Sequence, residues 1–373
     1  MRNYISKILK CNLPYLIQES SSFSLVDGQI PLILLRFIVD LKSSLIENIV
    51  LVYICILYYA STFVIGHIIG FNITGNVFYY YIDFFEYLFA FFFFMWSFST
   101  VVYLIKNPKD GFNGIPIIWS KLKEQYISST TITRFIVIFS ILPIFACSYS
   151  SIKQTIPLWK FFSFDLTFYK IDKVLHFNHS PWEILQSVIG YPPITLFIDF
   201  CYLAWVSLFA YTLLYMACHS DRQLRLKFFI SLACCWILIG NILAILFSSA
   251  GPCYFSEVTG VAANPYAGLF EYLNSIPGIR AVGIQTSLWE AFQIGRFMPL
   301  GGISAMPSMH VSIAVLLALL YRNIDRWAGW LLIFFAVVIQ IGSIHLGWHY
   351  AVDGYLSATV TILIWKIVGR KLA

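Results

Sequence analysis

Apolar residues in this chain come in blocks long enough to cross a bilayer, separated by short polar loops that carry most of the lysines and arginines. The blocks lie near 47–71, 82–105, 134–152, 193–218, 228–250, 308–321, 327–345 and 349–368. A helix needs roughly 20 apolar residues to span the hydrocarbon core, whereas barrel strands would be short and alternating. The pattern therefore predicts an all-α, polytopic integral membrane protein with about eight transmembrane helices. The sixth block is short as written, and its helix is expected to begin earlier, within 303–308. Ahead of the first span, 30–39 is apolar but too short to cross and is interrupted by Arg36. It reads as an interfacial helix on the cytoplasmic face.

The loops supply an orientation. Lys106, Lys109, Lys121 and Lys123 follow the second span, and Arg222, Arg225 and Lys227 the fourth. Arg322 and Arg326 follow the sixth, and Arg370 and Lys371 the eighth. Strict alternation puts all four groups on one side, together with the basic N-terminal region. Short basic loops mark the cytoplasmic side, so both termini are expected there, in a plasma or inner membrane or an endomembrane. Two long segments, 153–192 and 251–307, then face the periplasm, the exterior or a lumen. Both contain amphipathic pieces, at 180–188 and 270–274, and long structured loops of this kind usually carry function.

Composition agrees with this class: 59% of residues are hydrophobic and only 11% charged, far from the balance of a soluble domain. The net charge of +6 is dispersed among the loops instead of forming a stripe, which excludes nucleic acid as a partner. The cysteines fall mostly in apolar blocks and form no C-x-x-C pair, so they read as small hydrophobes.

Candidate chemistry is concentrated in 301–353. Three of the seven histidines, His310, His345 and His349, sit there at the edges of apolar spans, where titratable groups are costly and functional by default. His349 and Asp353 are four apart and share a face if helical. The carboxylate can then accept from Nδ1–H and leave Nε2 free as a nucleophile. His310 comes from another helix and is placed to move a proton across a shared pocket. Ser308 and the N-terminus of the sixth helix suit an anion. Plainer roles compete: a headgroup-level histidine, a glycine turn at Gly301 and Gly302, a helix cap at Asp353. His345, His349 and Asp353 also read as i, i+4, i+8, a metal-ligand spacing. The remaining histidines, His67, His176, His179 and His219, are scattered, so no metal and no cofactor is expected. These residues point to an active site for an anionic group and leave the reaction open.

Met306-Pro307-Ser308-Met309-His310 resembles the Pro-Ser-x-His signature of the type 2 phosphatidic acid phosphatase superfamily. The run 346–354, with His349-x-x-x-Asp353, is similar to its third signature. The likeness is closest to the inositol phosphorylceramide synthase-like branch and its bacterial relatives, to which Asp172 to His176, Ser180-Pro181-Trp182 and 249–254 are also similar. It covers roughly 134–368, a six-helix catalytic core within 134–373, with 1–133 as an interfacial helix and two additional spans. The resemblance implies a metal-independent mechanism with His349 as nucleophile forming a phospho-histidine, Asp353 orienting it, and His310 as general acid and base. It implies the lipid bilayer and a phosphorylated lipid as partners, with a lipid or polyol as possible acceptor. Two cationic positions of the family depart: Gly342 and Ser343 stand where Ser-Arg is common, and Lys-x₆-Arg-Pro has no clean match. Arg296 is the expected substitute, with Arg280 behind it. Ser308, Arg296, Tyr254 and His345 are the candidate substrate contacts. Asp199 lies within a span with Tyr202 one turn on, and a helix–helix hydrogen bond is expected there instead of a catalytic role. A plain lipid-phosphate or prenyl-diphosphate phosphatase remains an alternative. So does a proton-coupled transporter or flippase, though no symmetry of matched halves is visible.

Overall fold

A computed structural model describes residues 29–70, 77–107, 115–296, 298–299 and 301–372. Every apolar block in these residues is helical, because a backbone in lipid must satisfy its own hydrogen bonds. The first helices are α1 (Gln29–Glu47), α2 (Ile49–Ile69), α3 (Val77–Lys106), α4 (Ile115–Tyr126) and α5 (Ser129–Gln154). Next come α6 (Ile156–Trp159), α7 (Asp165–Leu175), α8 (Pro181–Ile189) and α9 (Pro192–Cys218). Helix α10 (Arg222–Cys234) runs on through a π-helical stretch, Cys235–Leu243. Helices α11 (Phe255–Thr259), α12 (Ala267–Asn274) and α13 (Ala281–Gln293) precede the last three: α14 (Met309–Ile324), α15 (Arg326–His345) and α16 (Ala351–Leu372).

Among the described residues, seven helices are long and apolar enough to cross a membrane, and α14 is a shorter apolar eighth. The fold is that of an all-α polytopic membrane protein. Helix α1 is not among the seven. It packs on α5 through Ser44 Oγ and Thr133 Oγ1 at 3.0 Å, and Ser129 Oγ donates to Asp40 at 2.6 Å. The basic N-terminal region before residue 29 lies outside the described residues, as does Lys109.

The sixth span needs correction. It begins at Met309, not within 303–308, and gains its length at the other end by reaching Ile324. Ser308 is its N-cap, its hydroxyl accepting the Val311 N–H at 3.4 Å, and Pro307 just before it offers no amide to continue a helix. The π-helical stretch after α10 carries Gly240, where a Cβ would lie 2.5 Å from the Tyr149 ring. That close approach lets α5 and α10 pack tightly beside the histidine segment.

The two long segments fold into short helices over one end of the bundle. The amphipathic pieces at 180–188 and 270–274 belong to α8 and α12, while α13 was not foreseen. Three buried carboxylates tie these segments down, each accepting two backbone amides from far along the chain. Asp165 takes Ala250 N–H (2.9 Å) and Gly251 N–H (2.8 Å), and also Tyr350 Oη–H (2.8 Å). Asp172 takes Ala351 N–H (2.7 Å) and Val352 N–H (3.0 Å), capping α16. Asp199 takes Arg280 N–H and Ala281 N–H, both at 3.1 Å, capping α13. The helix–helix bond expected at Asp199 thus runs to the start of α13, whose free amides are a strong claim on a carboxylate, while Tyr202 Oη has no partner among the described residues. Burial raises the Asp172 carboxyl above the usual range and lifts Asp165 to about 6, the amides opposing in each case.

Replacing Asp172 with asparagine keeps one acceptor and turns an NH₂ toward a backbone N–H. Loss of the cap and of a buried charge-assisted bond should cost about 2 kcal/mol. A lowered thermal midpoint in detergent would register it; an unchanged midpoint would deny the clamp its role.

Candidate active site

The histidine turn, 346–350, lies between α15 and α16, so His349 is outside the helix that carries Asp353. The face-sharing argument from spacing therefore does not describe the pair, yet the two side chains meet. Asp353 folds back from the first turn of α16, accepting the Tyr350 N–H at 3.0 Å and lying 3.3 Å from His349 Nδ1. The shorter bond from Nδ1 goes to the Ala305 carbonyl at 2.8 Å. A carbonyl can only accept, so Nδ1 carries the proton and Nε2 has its lone pair. Burial, reinforced by the charge of Lys153, pushes the His349 imidazole below its ordinary range. It is a neutral base at neutral pH.

The break at 346–350 also removes the i, i+4, i+8 arrangement. His345 ends α15 fully buried, with Nε2 2.9 Å from Thr195 Oγ1, which lies 2.9 Å from Tyr272 Oη. Among the described residues no group of three His, Cys, Asp or Glu side chains is placed to hold a metal.

His310 lies in the first turn of α14, two residues past the N-cap, and its ring faces His349 at 6.1 Å between centroids, edge to face. On the α9 side it stacks on Tyr202 at 4.4 Å and lies against Trp205 at 4.6 Å. These two aromatic faces hold the His310 ring in place at the cavity. Both histidines line a cavity of 410 Å³. Its wall is mainly apolar, with Leu203, Val206, Phe209, Ile284 and Leu288 on the α9 and α13 sides. Tyr202 Oη, Trp205 Nε1 and Trp348 Nε1 belong to lining residues and have no hydrogen-bond partner among the described residues. At the mouth of the histidine turn, Gly251 has φ +104°, and a Cβ there would lie 2.6 Å from the Trp348 carbonyl.

The remaining candidates separate. Tyr254 lines the cavity and donates to the Gln285 carbonyl at 2.8 Å. Ser308 is buried as the α14 cap, its N–H 3.3 Å from the Asp353 carbonyl, and is not in the wall. Arg296 is exposed and away from the cavity, and so is Arg280. Lys153, near the end of α5, is the cation among the described lining residues. Sequence reasoning passed over it because it closes an apolar span. Lys160 follows seven residues later, keeping the Lys-x₆ spacing with lysine for arginine and Phe161 for proline. Lys160 itself turns outward, its Nζ 4.1 Å from the Phe164 ring centroid.

A family model described as the PAP2 superfamily matches residues 166–367, more than half of the 373-residue chain. The chain belongs to the PAP2 superfamily. No curated protein and no solved structure matches it. PAP2 proteins form a membrane phosphatase and phosphotransferase-type family, which agrees with a lipid bilayer and a lipid phosphate as partners. The match runs from α7 into α16 and holds both cavity histidines, while Lys153 and the helices before it lie outside.

Proposed function

We propose that the cavity transfers a phosphate-containing group from an amphiphilic lipid through a covalent histidine intermediate. His349 Nε2 attacks phosphorus, and the bond to the leaving oxygen breaks as His310 delivers a proton to it. Asp353 and the Ala305 carbonyl hold Nδ1–H and stabilise the cationic phospho-imidazole. A water or an acceptor hydroxyl then attacks the phosphorus, giving its proton to His310 and releasing His349. The observation that carries this reading is the convergence of two imidazoles, one from α14 and one from the turn before α16, on one cavity, with Nδ1 of His349 already engaged. Residues 134–373 act as the catalytic unit, since α5 supplies Lys153, and 1–133 is an addition.

Charge favours a finer reading. One lysine and three neutral aromatic donors suit a monoanionic phosphodiester better than a dianionic monoester, because an uncompensated charge in an apolar cavity is expensive. Headgroup transfer of the inositol phosphorylceramide synthase type, from the non-cytoplasmic side, fits that balance, and the apolar wall fits a lipid chain.

Purified protein supplied in turn with phosphatidic acid, a prenyl diphosphate, and phosphatidylinositol with ceramide tests both levels. Turnover of none of them defeats the enzyme reading; turnover of the monoester alone defeats the diester reading. Lys153→Gln should cut kcat/KM roughly 10²- to 10³-fold, the cost of losing one oxyanion partner. An unaltered kcat/KM would exclude Lys153 from phosphate binding.

A further inference from the structure

A second, open cavity of 530 Å³ lies between the start of α10 and the ends of α14 and α16. Helices α14 and α16 both begin at the histidine cavity and finish here, so this cavity is at the opposite end of the bundle. Its wall carries Lys227, Lys366 and Arg370, with the amides of Gln223 and Asn323 and one carboxylate, Asp221. None of the three cations has an ion-pair partner among the described residues. Asp221 is occupied as the cap of α10, its Oδ1 accepting the Leu224 N–H at 3.0 Å. Gln223 Nε2 donates to the Leu372 carbonyl at 3.3 Å, holding the end of α16 against α10. Lys227 Nζ stands 4.1 Å over the Trp365 ring, which fixes its stem and keeps its ammonium at the cavity.

Basic residues at the ends of spans are expected from topology alone, and cations near α14 and α16 also complement those helix C-termini. Neither reason calls for a concave site shared by three helices, with two side-chain amides in its wall. One of them, Asn323, also donates through Nδ2 to the Leu319 carbonyl at 2.7 Å. Its volume is in the range of ligand pockets, and basic pockets between transmembrane helices recognise anionic headgroups. We propose that this cavity binds the phosphate-bearing headgroup of an anionic phospholipid from the leaflet opposite the active site. Lys366 and Arg370 approach it from α16, Lys227 from α10, and Asn323 from α14. This site is independent of any substrate bound at His310 and His349.

The test uses the full chain in nanodiscs of phosphatidylcholine with or without phosphatidylserine, followed by native mass spectrometry of the lipids retained. Wild type should keep phosphatidylserine in preference to phosphatidylcholine. The double variant Lys366→Gln/Arg370→Gln should lose affinity roughly thirtyfold, as expected on removing two cations beside the surface. Arg326→Gln, which removes a cation at the same end but outside the cavity, should keep it, and so should His349→Gln. Equal retention of both lipids, an unchanged double variant, or an equal loss in Arg326→Gln overturns the site. Loss in His349→Gln would assign the retained lipid to the histidine cavity and also overturn it. A parallel arm adds glycerol 3-phosphate: saturable binding of that soluble ester, without lipid retention, would overturn the lipid assignment in favour of a free anion.

Discussion

His349→Gln should lower turnover roughly 10⁴- to 10⁶-fold, the scale on which enzymes lose a nucleophile or its tautomer. It should also abolish the acid-labile phosphate that wild type accumulates after quenching. Glutamine preserves polarity at the position but offers no nitrogen lone pair to phosphorus. Turnover retained within tenfold would remove His349 from the covalent step. The pH profile gives a second reading of the same residue. Since burial and Lys153 hold the imidazole at about 3 against an ordinary 6.5, the nucleophile stays unprotonated through mildly acidic conditions. The acid limb of kcat/KM should therefore not fall at 6.5 on account of His349. For stability the sign follows from proton uptake: between those two values the unfolded chain binds the proton and the folded chain does not. The contribution is complete above 6.5 and is lost as pH falls toward 3.

His310→Gln should cost roughly 10²- to 10⁴-fold, the range for one general acid. Its effect should depend on the leaving group. A lipid or polyol alkoxide must be protonated as it departs, so the full loss is expected there. A nitrophenolate leaves without help, and with such an ester the loss should shrink to severalfold. Equal losses on both esters would assign His310 to binding instead of proton transfer. Glutamine at this position still packs between Tyr202 and Trp205, so the cavity wall is retained.

The sequence made the spans legible because lipid imposes one solution on a long apolar block: a helix. The two histidine motifs were visible because their residues are contiguous. What escaped has a common cause. Lys153, the α9 pair Tyr202 and Trp205, and the Ala305 carbonyl come to the two histidines from three separate segments, and their meeting depends on packing that no local pattern records. Arg296 looked suitable because it is a cation in the right loop. It is exposed, whereas Lys153 has its stem in the bundle and its charge at the cavity. His349 and Asp353 make contact for a reason other than helical periodicity: a turn ends α15, and the acid reaches back over the start of α16. The three carboxylate clamps were equally hidden, since a backbone amide leaves no trace in residue identity.

The brevity of α14 has a geometric corollary. Its 16 residues rise about 24 Å, against a hydrocarbon thickness of about 30 Å. Placed in a bilayer with Arg322 and Arg326 at one boundary, a helix of that rise would leave the His310 imidazole several ångströms short of the other. On the function proposed above, a lipid substrate would lower its polar head into a recess while its tail stays among its neighbours. A slender, flexible link between head and tail should then favour turnover over a rigid or bulky one.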